Sequence, residues 1–277
     1  MTSHSLRYLA NCSMLFTEVP LLERPAAAKA AGFDTVEFWW PWPDQPVPGD
    51  ADIDAFVTAV QDAGVQLAGL NFFAGDLAGP DCGVLSIPSR AQQFRDNVEV
   101  TLGIGERLGT KAFNALYGNR IEGVDPETQD ALAAEMLALA GGAAAKIGAV
   151  VLVEPVSGTP AYPLKLAEDA VAVIDRVRSE SGVESLRLLA DLYHMTVNGD
   201  DVGAALDRYA GQIGHVQIAD APGRGEPGTG SIDIAGYLDQ LHRNGYRGYV
   251  GLEYKATRPD TFDWLPREQR ASHGADA

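Results

Sequence analysis

Eight short apolar runs recur along this 277-residue chain, separated by segments with helical periodicity, and few folds accommodate that alternation. LRYLANCS (6–13), TVEFWW (35–40), VQLAGLNFF (65–73) and KAFNALY (111–117) read as the first four strands. VVLVEP (150–155), LRLLADLYH (186–194), GHVQIAD (214–220) and GYVGLEY (248–254) read as the second four. Helices are expected over 23–32, 51–63, 89–108, 126–148, about 163–180, near 200–210 and 234–245, with Gly32 and Gly64 placed as stops. The runs are nearly continuous in apolar residues, as parallel strands covered on both faces must be. Eight strand–helix units predict an α/β fold, a closed (β/α)8 TIM barrel, with an open doubly wound sheet as the structural alternative. The length suits a barrel, which takes about 250 residues. No Pro/Gly/Ser-rich linker divides the chain, so residues 1–277 are expected as one domain, with about 266–277 a frayed tail.

Active sites of such barrels lie at the carboxyl ends of the strands. Glu154, Asp191, Gln217 and Glu253 each sit near the end of a separate run, spaced by 37, 26 and 36 residues. On neighbouring strands their side chains converge on one mouth. Two like charges at about 4 Å repel by roughly 4 kcal/mol at an effective dielectric near 20. Three carboxylates there need a cation or must take up protons, which points to a metal-assisted enzyme. Asp191 stands out because it interrupts an apolar run, and a buried carboxylate is costly unless paired or metal-bound; a structural pair with Arg or Lys is the plain alternative. Gln217 could instead be a core amide.

Other polar residues near these ends are candidates for binding substrate. His194 follows Asp191 by three residues and is expected near the rim. His215 shares a strand face with Gln217 and could meet the metal or the substrate. Asn71 lies near the end of the third run. Gly223, Gly225 and Gly228 match GxGxxG after a strand, but Pro227 and TGSID interrupt the helix a dinucleotide site requires. A mobile loop bringing Arg224 and Glu226 to the mouth is expected instead, with Arg224 suited to a substrate carboxylate. FWWPWP (38–43) serves either as rim packing or as a water-excluding wall. Glu37 can face the interior or a helix. Cys82 has no visible base beside it.

Charge narrows the partners. The chain carries 21 basic and 38 acidic residues, a formal −17, which argues against a polyanion. No basic cluster with interleaved aromatics is present, so nucleic acid is not an expected partner. No apolar stretch reaches about 18 residues, so no membrane span is expected. Two isolated cysteines and the absence of an apolar leader lead us to expect a reducing, cytoplasmic setting. Homo-oligomerisation is allowed and not specified.

The stretches ANCSMLFTE (10–18), VEFWWP (36–41), AGD (74–76), QFRDNV (93–98), VEP (153–155), DLYHM (191–195), GHVQIADAPGRGEPGTG (214–230) and GLEYK (251–255) together resemble the hydroxypyruvate isomerase family, within the xylose-isomerase-like barrel superfamily. That resemblance implies a TIM barrel and a divalent metal held by Glu154, Asp191, Gln217 and Glu253. It implies proton transfer by Glu154 and Glu253, with His194 and Arg224 on the substrate. Leu70, Cys82, Ala190, Thr196 and Ser231 depart from the pattern expected of that family, which bears on the substrate.

The implied reaction converts hydroxypyruvate to tartronate semialdehyde by proton transfer through an enediolate, with Mg²⁺ or Mn²⁺ as the hard cation that oxygen ligands favour. An isomerase or 3-epimerase of a larger sugar or keto sugar acid would use the same residues. A non-catalytic metal- or ligand-binding barrel is the alternative of a different class. A barrel endonuclease would need several His ligands and a basic groove, against five His and a charge of −17 here.

Overall fold

The computed structural model describes residues 4–77 and 79–271. The eight expected strands are β1 (Arg7–Asn11), β2 (Thr35–Phe38), β3 (Gln66–Asn71), β4 (Ala112–Asn114), β5 (Val150–Val153), β6 (Leu186–Asp191), β7 (Ile213–Ile218) and β8 (Tyr249–Leu252). Each pairs in parallel with the next, and β8 pairs with β1, so the sheet closes on itself. Closure rules out the open doubly wound sheet. Leu9, Val36, Leu67, Phe113, Val151, Leu188, Val216 and Val250, one per strand, are all buried, as the continuous apolar runs require.

The helices are α1 (Arg24–Ala30), α2 (Asp50–Ala63), α3 (Ala91–Leu108), α4 (Pro126–Lys146), α5 (Ala167–Ser181), α6 (Leu192–Asn198), α7 (Val202–Arg208) and α8 (Ile234–Arg243). Asp125 caps α4 by accepting from Thr128 N at 3.0 Å, and Gly64 ends α2 at φ 62°. The α5 helix starts later than about 163, because Asp169 Oδ2 accepts from Lys165 N and Leu166 N, both at 2.9 Å, and fixes the first turn there. None of the helices in the described residues is long and apolar enough to cross a membrane.

The larger difference from expectation is α6. LRLLADLYH does not continue as a strand to His194. Asp191 Oδ1 accepts from Tyr193 N at 2.8 Å and His194 N at 3.1 Å, so the carboxylate caps a new helix at the strand end. Leu192 and Met195 remain buried on that helix, so the run stays apolar across the change of conformation. Of the tail expected to fray, residues 267–269 form a 3-10 turn, and Arg270 donates to Ala31 O at 3.0 Å and Phe262 O at 2.9 Å. Residues 272–277 lie outside the described residues.

Candidate active site

Every strand brings a polar side chain to the carboxyl end of the barrel or close to it. The ring runs Asn11, Glu37, Asn71, Asn114, Glu154, Asp191, Gln217 and Glu253 from β1 to β8, with Glu154 and Glu253 one residue beyond their strands. Glu154, Asp191, Gln217 and Glu253 are each no more than 5% exposed. One ligand atom apiece from Glu154, Asp191, His194 and Glu253 lies within 4.8 Å of the others, a grouping that could hold a metal ion. Gln217 borders it, with Nε2 3.3 Å from Glu253 Oε1.

Neighbouring donors commit one oxygen of each carboxylate, and at Glu253 an ion pair engages the other. Glu253 Oε1 accepts from Trp39 Nε1 at 2.6 Å, Asn11 Nδ2 at 3.2 Å and Gln217 Nε2. Its Oε2 meets the Arg224 guanidinium, which also lies 3.7 Å from Asp191 Oδ2. Glu154 Oε2 accepts from Asn114 Nδ2 at 2.7 Å, and Oε1 lies 4.0 Å from His194 Nε2. Asp191 uses Oδ1 for the α6 cap and presents Oδ2. Gln217 Oε1 is buried with no partner, although its amide nitrogen has two. An orphaned buried carbonyl beside three carboxylates is the donor set a hard divalent cation takes. These residues fit such an ion.

The electrostatics follow from burial. Desolvation, then repulsion from Glu253 and Asp191, pushes the Glu154 pKa well above the ordinary carboxylate value. Desolvation raises Glu253 to about 7, even though Arg224 opposes the shift. Asp191 is raised by burial despite Arg224 and the two backbone donors of its cap. His194 is pushed down to about 3 by burial and then by Arg224, so its imidazole is neutral. Ser157 N donates to His194 Nδ1 at 3.0 Å, which puts the ring proton on Nε2, 3.6 Å from Asp191 Oδ2. His194 therefore presents a donor to the site.

A family model described as xylose isomerase-like TIM barrel matches residues 25–277. A Streptomyces coelicolor protein that carries hydroxypyruvate isomerase as a provisional name is 54% identical over 272 residues, 96% of this chain and 98% of that one. The chain belongs to the hydroxypyruvate isomerase family of xylose isomerase-like TIM barrels. The hydroxypyruvate isomerase of Escherichia coli is 34% identical over 252 residues, 90% of this chain and 93% of that one. A solved structure from Brucella melitensis, described as AP endonuclease, family 2, superposes with a TM-score of 0.83 at 32% identity, covering 94% of this chain and 97% of that chain. Family membership makes the protein an isomerase.

In this isomerase-family barrel a cavity of about 160 Å³ opens onto the cluster, lined on one side by Glu154, His194, Arg224 and Glu253. Leu77, Leu116 and Val156 form an apolar wall, and Asn71 also lines the cavity. Cys82 also lines it, but burial raises its thiol pKa, which makes it a poor nucleophile. A wider cleft of about 720 Å³ adjoins across Trp39 and Leu77. Trp39 thus belongs to the site, whereas Trp40 and Trp42 pack edge to face at the rim.

Two expected placements change. His215 is not in the cavity lining; its Nε2 lies 2.7 Å from Glu37 Oε2, inside the barrel and two residues below Gln217. The 221–231 loop is tied down, because Glu226 is fully buried and accepts from Thr257 N at 2.7 Å and Thr261 Oγ1 at 2.6 Å. Burial works to raise the Glu226 pKa, but these donors outweigh it and hold the group at about 2. Arg224 reaches the mouth and Glu226 does not. From the sequence, Glu37 and the aromatic run that contains Trp39 stayed open between two readings, and Ser157 and Asn114 were missed. Asn114, at a strand end, obeys the rule that marked the others.

Proposed function

We propose that this protein is a metal-dependent isomerase converting hydroxypyruvate to tartronate semialdehyde. The observation that carries the reading is the pair Glu154 and Glu253. Both are buried, both have raised pKa values, and both line the cavity, with Glu154 Oε1 4.0 Å from His194 Nε2 and Glu253 Oε2 paired with Arg224. Glu154, Asp191, Gln217 and Glu253 would hold the cation, with Mg²⁺ or Mn²⁺ favoured by an all-oxygen donor set. Bound there, the cation would polarise the substrate carbonyl and offset the negative charge that develops on its oxygens.

The side chains account for the proton movements. One glutamate removes a proton from C3 of hydroxypyruvate, leaving an enediolate. The same group or its partner returns a proton to C2, and the O3 hydroxyl proton passes to O2. One hydrogen thus leaves C3 and one arrives at C2, and the oxygens exchange one as well. A general base must lie within reach of the proton it takes, and Glu154 and Glu253 both line the cavity. In this reading His194 Nε2–H donates to a substrate oxygen, Arg224 takes the carboxylate, and Asn71 bonds from the third strand; all three line the cavity. His215 acts in this reading only through Glu37.

The adjoining 720 Å³ cleft favours a second reading, in which the same carboxylates isomerise or 3-epimerise a larger sugar or keto sugar acid. One assay decides. Hydroxypyruvate, four-carbon keto acids and ketoses are each incubated with protein loaded with Mg²⁺ or Mn²⁺. Preference for hydroxypyruvate supports the first reading, and preference for the longer substrates the second. Full activity after exhaustive chelation removes the cation from both.

A further inference from the structure

Glu37 sits at the centre of a buried network below the carboxylate cluster. Its Oε1 accepts from Asn11 Nδ2 at 3.0 Å and Gln217 Nε2 at 2.8 Å, and its Oε2 faces His215 Nε2 at 2.7 Å. The chain makes room for it: a Cβ at Gly251 would meet Glu37 Oε1 at 2.6 Å, and one at Gly69 would meet Oε2 at 3.2 Å. A buried carboxylate with three donors and two facing glycines is a built feature of the barrel.

The oxygen and nitrogen of an amide are nearly alike in size, so its hydrogen-bond partners decide which way round it lies. Turned over, Gln217 would set its oxygen against Glu37 Oε1 and Glu253 Oε1, two acceptors with no proton to share. As it lies, the nitrogen serves both carboxylates and Oε1 is left without a partner. Asn11 cannot substitute in this role, because its own Oδ1 is held by Ser13 N at 3.0 Å and Met14 N at 3.2 Å.

We infer that Glu37 is the positioning residue that orients the Gln217 amide, so that its oxygen and not its nitrogen faces the cation site. The inference rests on the metal reading proposed above. Replacing the carboxylate by an amide leaves position 37 a single oxygen in place of two, so the charged acceptor that holds the Gln217 nitrogen is lost and its grip weakens. Gln217 then turns over in part of the molecules and presents hydrogens to the cation there. Exchanging the two residues restores a donor–acceptor pair between positions 37 and 217, while the donor to Glu253 Oε1 is lost. The amide now at position 37 donates to the carboxylate now at position 217, whose other oxygen faces the cation at unchanged total charge.

The test is Mn²⁺ binding by calorimetry to metal-stripped wild type, Glu37→Gln, Gln217→Glu, and the exchanged pair Glu37→Gln/Gln217→Glu. Outer partners of metal ligands typically contribute about 10–100-fold in affinity. Glu37→Gln is expected to bind about tenfold more weakly, and the exchanged pair to recover part of that loss. Gln217→Glu alone faces Glu37 directly and is expected to bind more weakly than the exchanged pair. A purely structural role for Glu37 would not produce recovery in the exchanged pair.

Equal affinity of Glu37→Gln and wild type overturns the inference and leaves the metal reading standing, as does Gln217→Glu matching the exchanged pair. Failure of wild type to bind any divalent ion removes both. A readout that requires no variant is solvent exchange of the Gln217 side-chain amide protons followed by NMR. They are expected to stay protected when Mg²⁺ is added, and loss of protection would mean that the nitrogen had left Glu37.

Discussion

Stripping the cation should expose an unusual dependence of stability on pH. In the folded chain Glu253 sits at about 7, against an ordinary value of 4.5, chiefly because burial penalises its charge. An acid raised in this way binds its proton more tightly folded than unfolded. The stabilisation is present in full below about pH 4.5 and is lost as pH rises to about 7. A shift of about 2.5 units at 1.36 kcal/mol each corresponds to roughly 3 kcal/mol. Glu154 and Asp191 are raised as well and act in the same direction. Glu37 and Glu226 are lowered, so they contribute the opposite slope, but only below about pH 4.5, whereas His194, pushed down to about 3, opposes the carboxylates up to the ordinary histidine value of 6.5.

The assay is urea unfolding in chelator from pH 5 to 8. Unfolding free energy should fall with pH above about 6.5, where His194 no longer opposes the carboxylates, and each kcal/mol lost should lower the melting temperature by roughly 2–4 °C for a chain of this size. Saturating Mn²⁺ should flatten the slope, because the cation replaces the proton. Glu253→Gln should flatten it too, leaving the metal-free variant more stable than wild type at pH 8. Metal-free wild type whose stability is flat or rises from about pH 6.5 to 8 would refute the electrostatic account of the cluster.

Two further expectations rest on single contacts. Ser157→Ala removes the 2.7 Å Oγ contact to His194 Nδ1 and leaves only the backbone donor. A net loss of about 1 kcal/mol should lower kcat/KM by about five- to tenfold in steady-state assays, and an unchanged value would remove His194 orientation from the mechanism. Glu226→Ala strands the donors of Thr257, Arg258 and Thr261. It should cost roughly 3 kcal/mol or more in urea unfolding, and a cost under about 1 kcal/mol would mean that the loop is not held by this residue.

The barrel was legible because eight apolar runs at regular separation have few ways to bury both faces. The four strand-end residues were legible for the same reason, since the topology decides where strand ends meet. The start of α6 was hidden because Leu192 and Met195 are as buried on the helix as strand residues would be. Only the reach of Asp191 Oδ1 back to two amides marks the turn, and a short apolar window has no period to reveal it. Glu37 carried the same signal as Asp191, a carboxylate inside an apolar run, but its facing depends on register. The His215–Glu37 pair spans 178 residues. The anchoring of Glu226 likewise depends on partners 31 and 35 residues away.

The central claim is that Glu154 and Glu253 move a proton between adjacent carbons of a small keto acid. Its most direct test follows hydroxypyruvate by proton NMR in deuterated water with Mg²⁺-loaded wild type, Glu154→Gln and Glu253→Gln. Wild type should form tartronate semialdehyde, and each variant should fall to background while remaining folded by circular dichroism. No turnover or C3 exchange by wild type, or near-normal turnover by Glu253→Gln, would contradict the account.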